Sequence, residues 1–290
     1  MRTRVIAVTL TLLATALLTG CASWVSSAVG RGPAAAPPAG APITTGTTGT
    51  LAAGPVTLIA LGDSLTAGQG DDTGVGYAGR LAETIGALPG REGTTLVNLG
   101  QSGWDSTMMV EGSSGPGSTD GQLPQAVETA RAAAGSPVLA TVLIGSNDLW
   151  YVYQNSTEDP APAADEEAVV TTYRANLDRT VRELREAGAA VVVGLPDDQS
   201  LRPGVADVSR LQELLPNVTA EEVTRMSALA QRLAQVATEI AVAQGVSAVA
   251  TDAPFWTDQD TMAEDGVHPN EEGYAAFATL WEPAITPLLG

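Results

Sequence analysis

Val56-Thr57-Leu58-Ile59-Ala60-Leu61-Gly62-Asp63-Ser64-Leu65 is the stretch on which the reading of the fold turns. Val56 to Leu61 is apolar but for one threonine and is bounded by Pro55 and Gly62. A short apolar run between such breakers predicts a buried β-strand. The strand runs straight into a glycine, an acid and a hydroxyl.

Further strands are predicted at Thr94–Leu99, Val138–Ile144, Ala189–Val193 and Val246–Ala250. Between them lie helical patterns at Gly76–Leu88, Leu123–Ala134, Asp165–Ala187, Ala220–Ala243 and about Glu271–Ile285. Gly76–Leu88, for example, repeats apolar residues at helical spacing through Tyr77, Leu81, Ile85 and Leu88. Alternating strands and helices require right-handed crossovers and a parallel sheet covered on both faces. The expectation is one three-layer α/β/α domain over residues 55–290, with a five-stranded, mostly parallel sheet. Three strand exits carry glycine-rich polar turns, at Ser64, Gly100 and Asn147. In open α/β sheets the ligand site lies outside the carboxyl ends of the strands, so these turns are expected to gather at one edge.

Asp265-Gly266-Val267-His268-Pro269-Asn270 holds the single histidine of the chain. No other side chain titrates near neutrality without a large environmental shift, so a general base here would be His268. Asp265, three residues earlier, can accept from one ring nitrogen and leave the other to take a proton. Pro269 favours an extended His268, and Asn270 is a good cap for the helix that follows. The plainer reading is a surface loop whose histidine packs or caps.

The ends of the chain have a different character. Arg2 and Arg4 precede an apolar run, Val5 to Leu18, and then Leu18-Thr19-Gly20-Cys21. That order predicts a secretory signal over residues 1–20, too short for a comfortable membrane span. Cys21 is the single cysteine, which excludes an intramolecular disulfide. Leu-Thr-Gly-Cys resembles the lipobox of bacterial lipoproteins, which implies a diacylglycerol on Cys21 and a protein held at the outer face of the cell membrane. Ordinary secretion is the alternative. Residues 21–54, rich in Ala, Pro, Gly, Thr and Ser, are expected to be a disordered tether.

The formal net charge is −19, and arginine supplies all the positive charge. Such a balance argues against nucleic acid as a partner. One histidine and one cysteine leave few soft ligands, so no metal is expected. G-x-S-x-G, Walker and H-E-x-x-H patterns are absent.

Four blocks in order resemble those of the SGNH (GDSL-type) hydrolase family: Gly62-Asp63-Ser64-Leu65, Gly100 within Asn-Leu-Gly, Gly145-Ser146-Asn147-Asp148, and Asp265-Gly266-Val267-His268. The resemblance implies a flavodoxin-like domain and a serine esterase or lipase that needs no cofactor. It implies Ser64 as nucleophile, His268 as base and Asp265 as the carboxylate orienting it. The oxyanion hole would be the backbone N–H groups of Ser64 and Gly100 with the side-chain amide of Asn147. Those residue types suit the chemistry by themselves. A serine hydroxyl attacks poorly until a base takes its proton, and a tetrahedral oxyanion needs aimed donors. Singly, Ser64, Gly100, Asn147 and Asp148 could each be ordinary turn or cap residues. Asp63 is expected to brace its turn.

Trp104, Trp150 and Tyr151 follow two of the blocks, where they either line the mouth of a pocket or pack in the core. Residues 112–121 and 197–217 are candidate lids. The expected substrate is a carboxylic ester and the expected state a monomer. Rival readings are a carbohydrate O-deacetylase or lysophospholipase, an inactive tethered binding module, and a purely structural envelope lipoprotein.

Overall fold

The computed structural model describes residues 42–43, 49–115, 117–155, 161–214 and 218–290. The predicted signal, Cys21 and most of the predicted tether lie outside the described residues.

Among the described residues the strands are β1 (Pro42–Ile43), β2 (Thr57–Gly62), β3 (Thr95–Asn98), β4 (Val138–Leu143), β5 (Ala190–Leu195) and β6 (Ser247–Ala250). The helices are α1 (Ser64–Ala67), α2 (Gly76–Gly86), α3 (Ser106–Glu111), α4 (Gln122–Ala132), α5 (Ser146–Gln154) and α6 (Ala163–Glu186). They continue with α7 (Pro203–Ala206), α8 (Val208–Leu214), α9 (Ala220–Gln244) and α10 (Glu271–Leu289).

The strands form one sheet in the order β1-β6-β5-β4-β2-β3. β2 to β6 pair in parallel, and β1 runs antiparallel to β6. The five predicted strands are all present and parallel. The added antiparallel pair falls inside the stretch expected to be a tether. Pro42 and Ile43 carry no period that a sequence reading can detect, and what draws them in is the open edge of β6.

Side chains alternate across the sheet. Ile59, Leu61, Ala140, Val142, Val191 and Val193 face one layer, with Leu177 and Val181 of α6 and Leu229 and Leu233 of α9. Leu58, Ala60, Leu139 and Val192 face the other, with Tyr77 and Leu81 of α2 and Phe277 and Trp281 of α10. Burial on both faces explains why β2 and β4 read as nearly continuous apolar runs, with one threonine in each. In the second layer Tyr77 stacks on Trp281 at 5.1 Å, and its hydroxyl meets Thr66 at 3.0 Å, just below the first helical turn after β2.

Gly62 of β2 lies level with Leu143 of β4. The exits of these two neighbouring strands therefore sit side by side, and Ser64 and Asn147 follow within a few residues of them. Among the described residues no helix is long and apolar enough to cross a membrane.

Two expectations change in detail. α1, α3 and α5 form where no helix is predicted. Residues 197–217, read as a candidate lid, contain a 3-10 turn at Gln199–Leu201 and then α7 and α8. Gly204, Val205 and Leu211 of this segment are buried. The other candidate lid, 112–121, is closed on itself by Ser113 N–H donating to the Thr119 carbonyl at 3.0 Å.

Candidate active site

The exit of β2 is built to present one hydroxyl. Gly62 has φ +155°, and a Cβ there would lie 2.0 Å from the Leu143 carbonyl oxygen, so glycine is required. The Gln122 side-chain amide brackets Gly62. Its Oε1 accepts from the Gly62 N–H and its Nε2 donates to the Gly62 carbonyl, both at 2.8 Å. Asp63 then caps α1 by accepting from Leu65 N–H at 3.0 Å. Burial pushes the Asp63 carboxyl up to about 6, against the pull of the Leu65 N–H and the Arg202 charge. This is the bracing role expected of Asp63. Ser64 is the first residue of α1, so its own N–H lies in a turn whose donors have no partner within the helix.

The late loop meets that hydroxyl. His268 Nε2 lies 2.9 Å from Ser64 Oγ, and His268 Nδ1 lies 2.6 Å from Asp265 Oδ2. The other carboxylate oxygen, Asp265 Oδ1, accepts from the N–H groups of Val267 at 2.8 Å and His268 at 2.9 Å. Burial alone would raise the Asp265 carboxyl. The imidazole and the two backbone donors outweigh it and hold the carboxyl well below the usual range. An ionised Asp265 facing Nδ1 puts the ring proton on that nitrogen. Nε2 is left bare to accept from the serine hydroxyl. Asn270 caps α10 through Gly273 N–H at 3.0 Å, which ends the loop as its sequence predicts.

The β3 exit packs beside α1. Asn98 Nδ2 donates to the Thr66 carbonyl at 2.8 Å, and its Oδ1 accepts from Gly100 N–H at 3.0 Å. The Gly100 N–H, expected to face substrate, is thus engaged by a neighbouring side chain. Glycine is needed here because a Cβ would fall 2.4 Å from Ala67 N, against α1 and not against a substrate. Gly100→Ala should therefore cost about 1–3 kcal/mol of stability, the usual range for overpacking. Thermal or urea denaturation measures it, and an unchanged midpoint would contradict the tight approach.

The β4 exit becomes α5. Asn147 Nδ2 donates to the Trp104 carbonyl at 2.8 Å, which uses one of its two amide hydrogens. Next to it Asp148 accepts from Ser106 N–H at 2.9 Å and Ser106 Oγ at 2.5 Å. Burial pushes Asp148 up to about 7, opposed by the Ser106 hydroxyl. This pair ties α5 to the start of α3 and so to the loop that carries Trp104. Neither Asn98 nor Ser106 stands out in sequence, because both act through partners far along the chain.

The three aromatic candidates separate. Trp104 is 8% exposed. Trp150 packs against the first core layer and donates from Nε1 to Gln199 Oε1 at 2.6 Å. Tyr151 donates to the Gly103 carbonyl at 2.6 Å. It also lines a groove of about 370 Å³, shared with Asp105, Asp165 and Val169, to which neither Ser64 nor His268 contributes. Among the described residues no group of three or more His, Cys, Asp or Glu side chains is placed to hold a metal ion.

Residues 60–276 match the model of the GDSL-like Lipase/Acylhydrolase family. Comparison with curated proteins found no match. Several solved structures share the fold. A variant of an acetyl xylan esterase from Geobacillus stearothermophilus is 19% identical, with a TM-score of 0.52 over 81% of this chain and 96% of that one. An α/β hydrolase from the metagenome of Lake Arreo, Spain, is 20% identical, with a TM-score of 0.52 over 83% and 99% of the two chains. An extracellular lipase from Streptomyces rimosus is 18% identical, with a TM-score of 0.52 over 79% and 99%.

Proposed function

Since the chain belongs to the GDSL-like lipase/acylhydrolase family, we propose that it is a serine hydrolase that cleaves carboxylic esters through an acyl-enzyme on Ser64. The observation that carries this reading is the unbroken run from carboxylate to imidazole to hydroxyl, at 2.6 and 2.9 Å, within one chain.

In acylation Ser64 Oγ attacks the ester carbonyl while its proton passes to His268 Nε2. The negative charge that develops on the former carbonyl oxygen is met by the Ser64 N–H and the remaining amide hydrogen of Asn147. A third donor, the Gly100 N–H, joins by leaving Asn98. Such donors are typically worth about 3–4 kcal/mol each. The imidazolium, stabilised by Asp265, protonates the departing alcohol as the carbon–oxygen bond breaks. Water then repeats the sequence and releases the acid.

Export and lipidation at Cys21 complete the proposal and put the activity outside the cytoplasm, at the cell membrane. The acyl and alcohol portions are addressed by one series of p-nitrophenyl esters from acetyl to palmitoyl, with acetylated xylan and a lysophospholipid beside it. Purified protein should hydrolyse at least one ester and be labelled at Ser64 by a fluorophosphonate. Absence of both turnover and labelling in folded protein would overturn the reading in favour of an inactive binding module.

A further inference from the structure

The segment 202–210 holds the base-bearing loop. Three groups on it reach the carbonyls of residues 264–267. Arg202 Nη1 donates to the Val267 carbonyl at 2.8 Å, Gly204 N–H donates to the Gly266 carbonyl at 2.8 Å, and Arg210 donates to the Glu264 carbonyl.

Arg202 is the centre of this grip. It is 1% exposed, a rare state for an arginine. Its Nε and Nη2 meet the two carboxylate oxygens of Asp197 at 3.0 and 2.7 Å, and its guanidinium lies 4.2 Å from the centre of the Trp256 ring. Asp197 follows β5 by two residues, so the pair is rooted in the sheet. A buried ion pair is weak grounds for stability, because desolvation opposes the attraction. What distinguishes this one is where its third nitrogen points.

The peptide unit joining Val267 to His268 is planar. Its carbonyl is held by Arg202, and its N–H is held by Asp265 Oδ1 at 2.9 Å. One plane is thus pinned at both ends, and the His268 side chain leaves from its edge. We propose that Arg202, anchored by Asp197, is a positioning residue that aims the His268 imidazole at Ser64. The inference rests on the reading of Ser64 and His268 as nucleophile and base.

Because His268 is the only histidine, its ring signals in ¹⁵N-histidine-labelled protein need no assignment. Wild-type protein should show a single tautomer with a downfield Nδ1 proton. Arg202→Met should lower kcat about 10–100-fold with little change in KM, as a misplaced catalytic group does, and should broaden or split those signals. Arg202→Lys keeps the charge beside Asp197 but gives up the forked contact. It should lose activity too, which separates aim from charge. Arg210→Met, which loses one of the three grips, should lose about threefold. A role in stability alone predicts a lower Tm, with wild-type kcat and one sharp imidazole signal well below it. That result in Arg202→Lys overturns the proposal even if Arg202→Met does not fold. If wild-type protein cleaves no ester but the imidazole loses order in the Arg202 variants, the catalytic reading fails and the positioning stands. If wild-type protein cleaves esters and both Arg202 variants match it, the positioning fails alone.

Discussion

Ser64→Ala should leave a folded protein whose hydrolysis of its best p-nitrophenyl ester is slower by on the order of 10⁴–10⁶, the range seen when a nucleophile is removed from such a triad. Ser64 is 8% exposed, and its hydroxyl makes its contact with His268 Nε2. Alanine removes that oxygen and nothing that holds the turn. Gln122 still brackets Gly62, and Asp63 still caps Leu65. The melting temperature should therefore stay close to wild type while turnover and fluorophosphonate labelling disappear together. A variant that retains a tenth of the wild-type rate would show that another group attacks the ester.

Asp265→Asn should be nearly as damaging, with kcat lower by about 10⁴. The asparagine oxygen can keep the two backbone donors from Val267 and His268. Its amide then faces ring Nδ1, so a donor stands where the carboxylate accepted. The imidazole must carry its proton on Nε2, against Ser64, and cannot take another there. Raising the pH does not repair this, because the fault lies in which nitrogen carries the proton. A variant whose rate recovers at high pH would mean that Asp265 acts only by charge. Stability gives a second reading with a definite sign. Asp265 is held below its unfolded value, so its contribution is present above the ordinary carboxylate range and fades as the pH falls. The gap in Tm between wild type and Asp265→Asn should close in acid.

The parts of this molecule that were legible in sequence are those encoded locally. β2 and β4 are apolar but for one threonine each because both faces of the sheet are covered, and their lengths sit between clear breakers. Asp265 and His268 are three residues apart, so their contact was implied by spacing. Ser64 and Asn147 were marked by the glycines before them. What escaped notice acts across the chain. Asn98 bridges Thr66 and Gly100, Gln122 brackets Gly62, and Asp148 grips Ser106, over separations that no periodicity records. Gly100 shows the same limit: a need for glycine was visible, but the neighbour imposing it is α1. In residues 197–217 the burial of Arg202 against Asp197 leaves no periodic trace, because the two polar side chains satisfy each other in the interior.

The direction of β1 has a mechanical consequence. Pro42 pairs with Val249 and Ile43 with Ala248, so the backbone enters the domain at the rim where the strands end and the Ser64 turn stands. If Cys21 is anchored as proposed, some twenty residues separate it from that point, a contour of at most about 70 Å. Under the proposed lipidation, tension on the chain would reach the domain at the rim that carries the Ser64 turn.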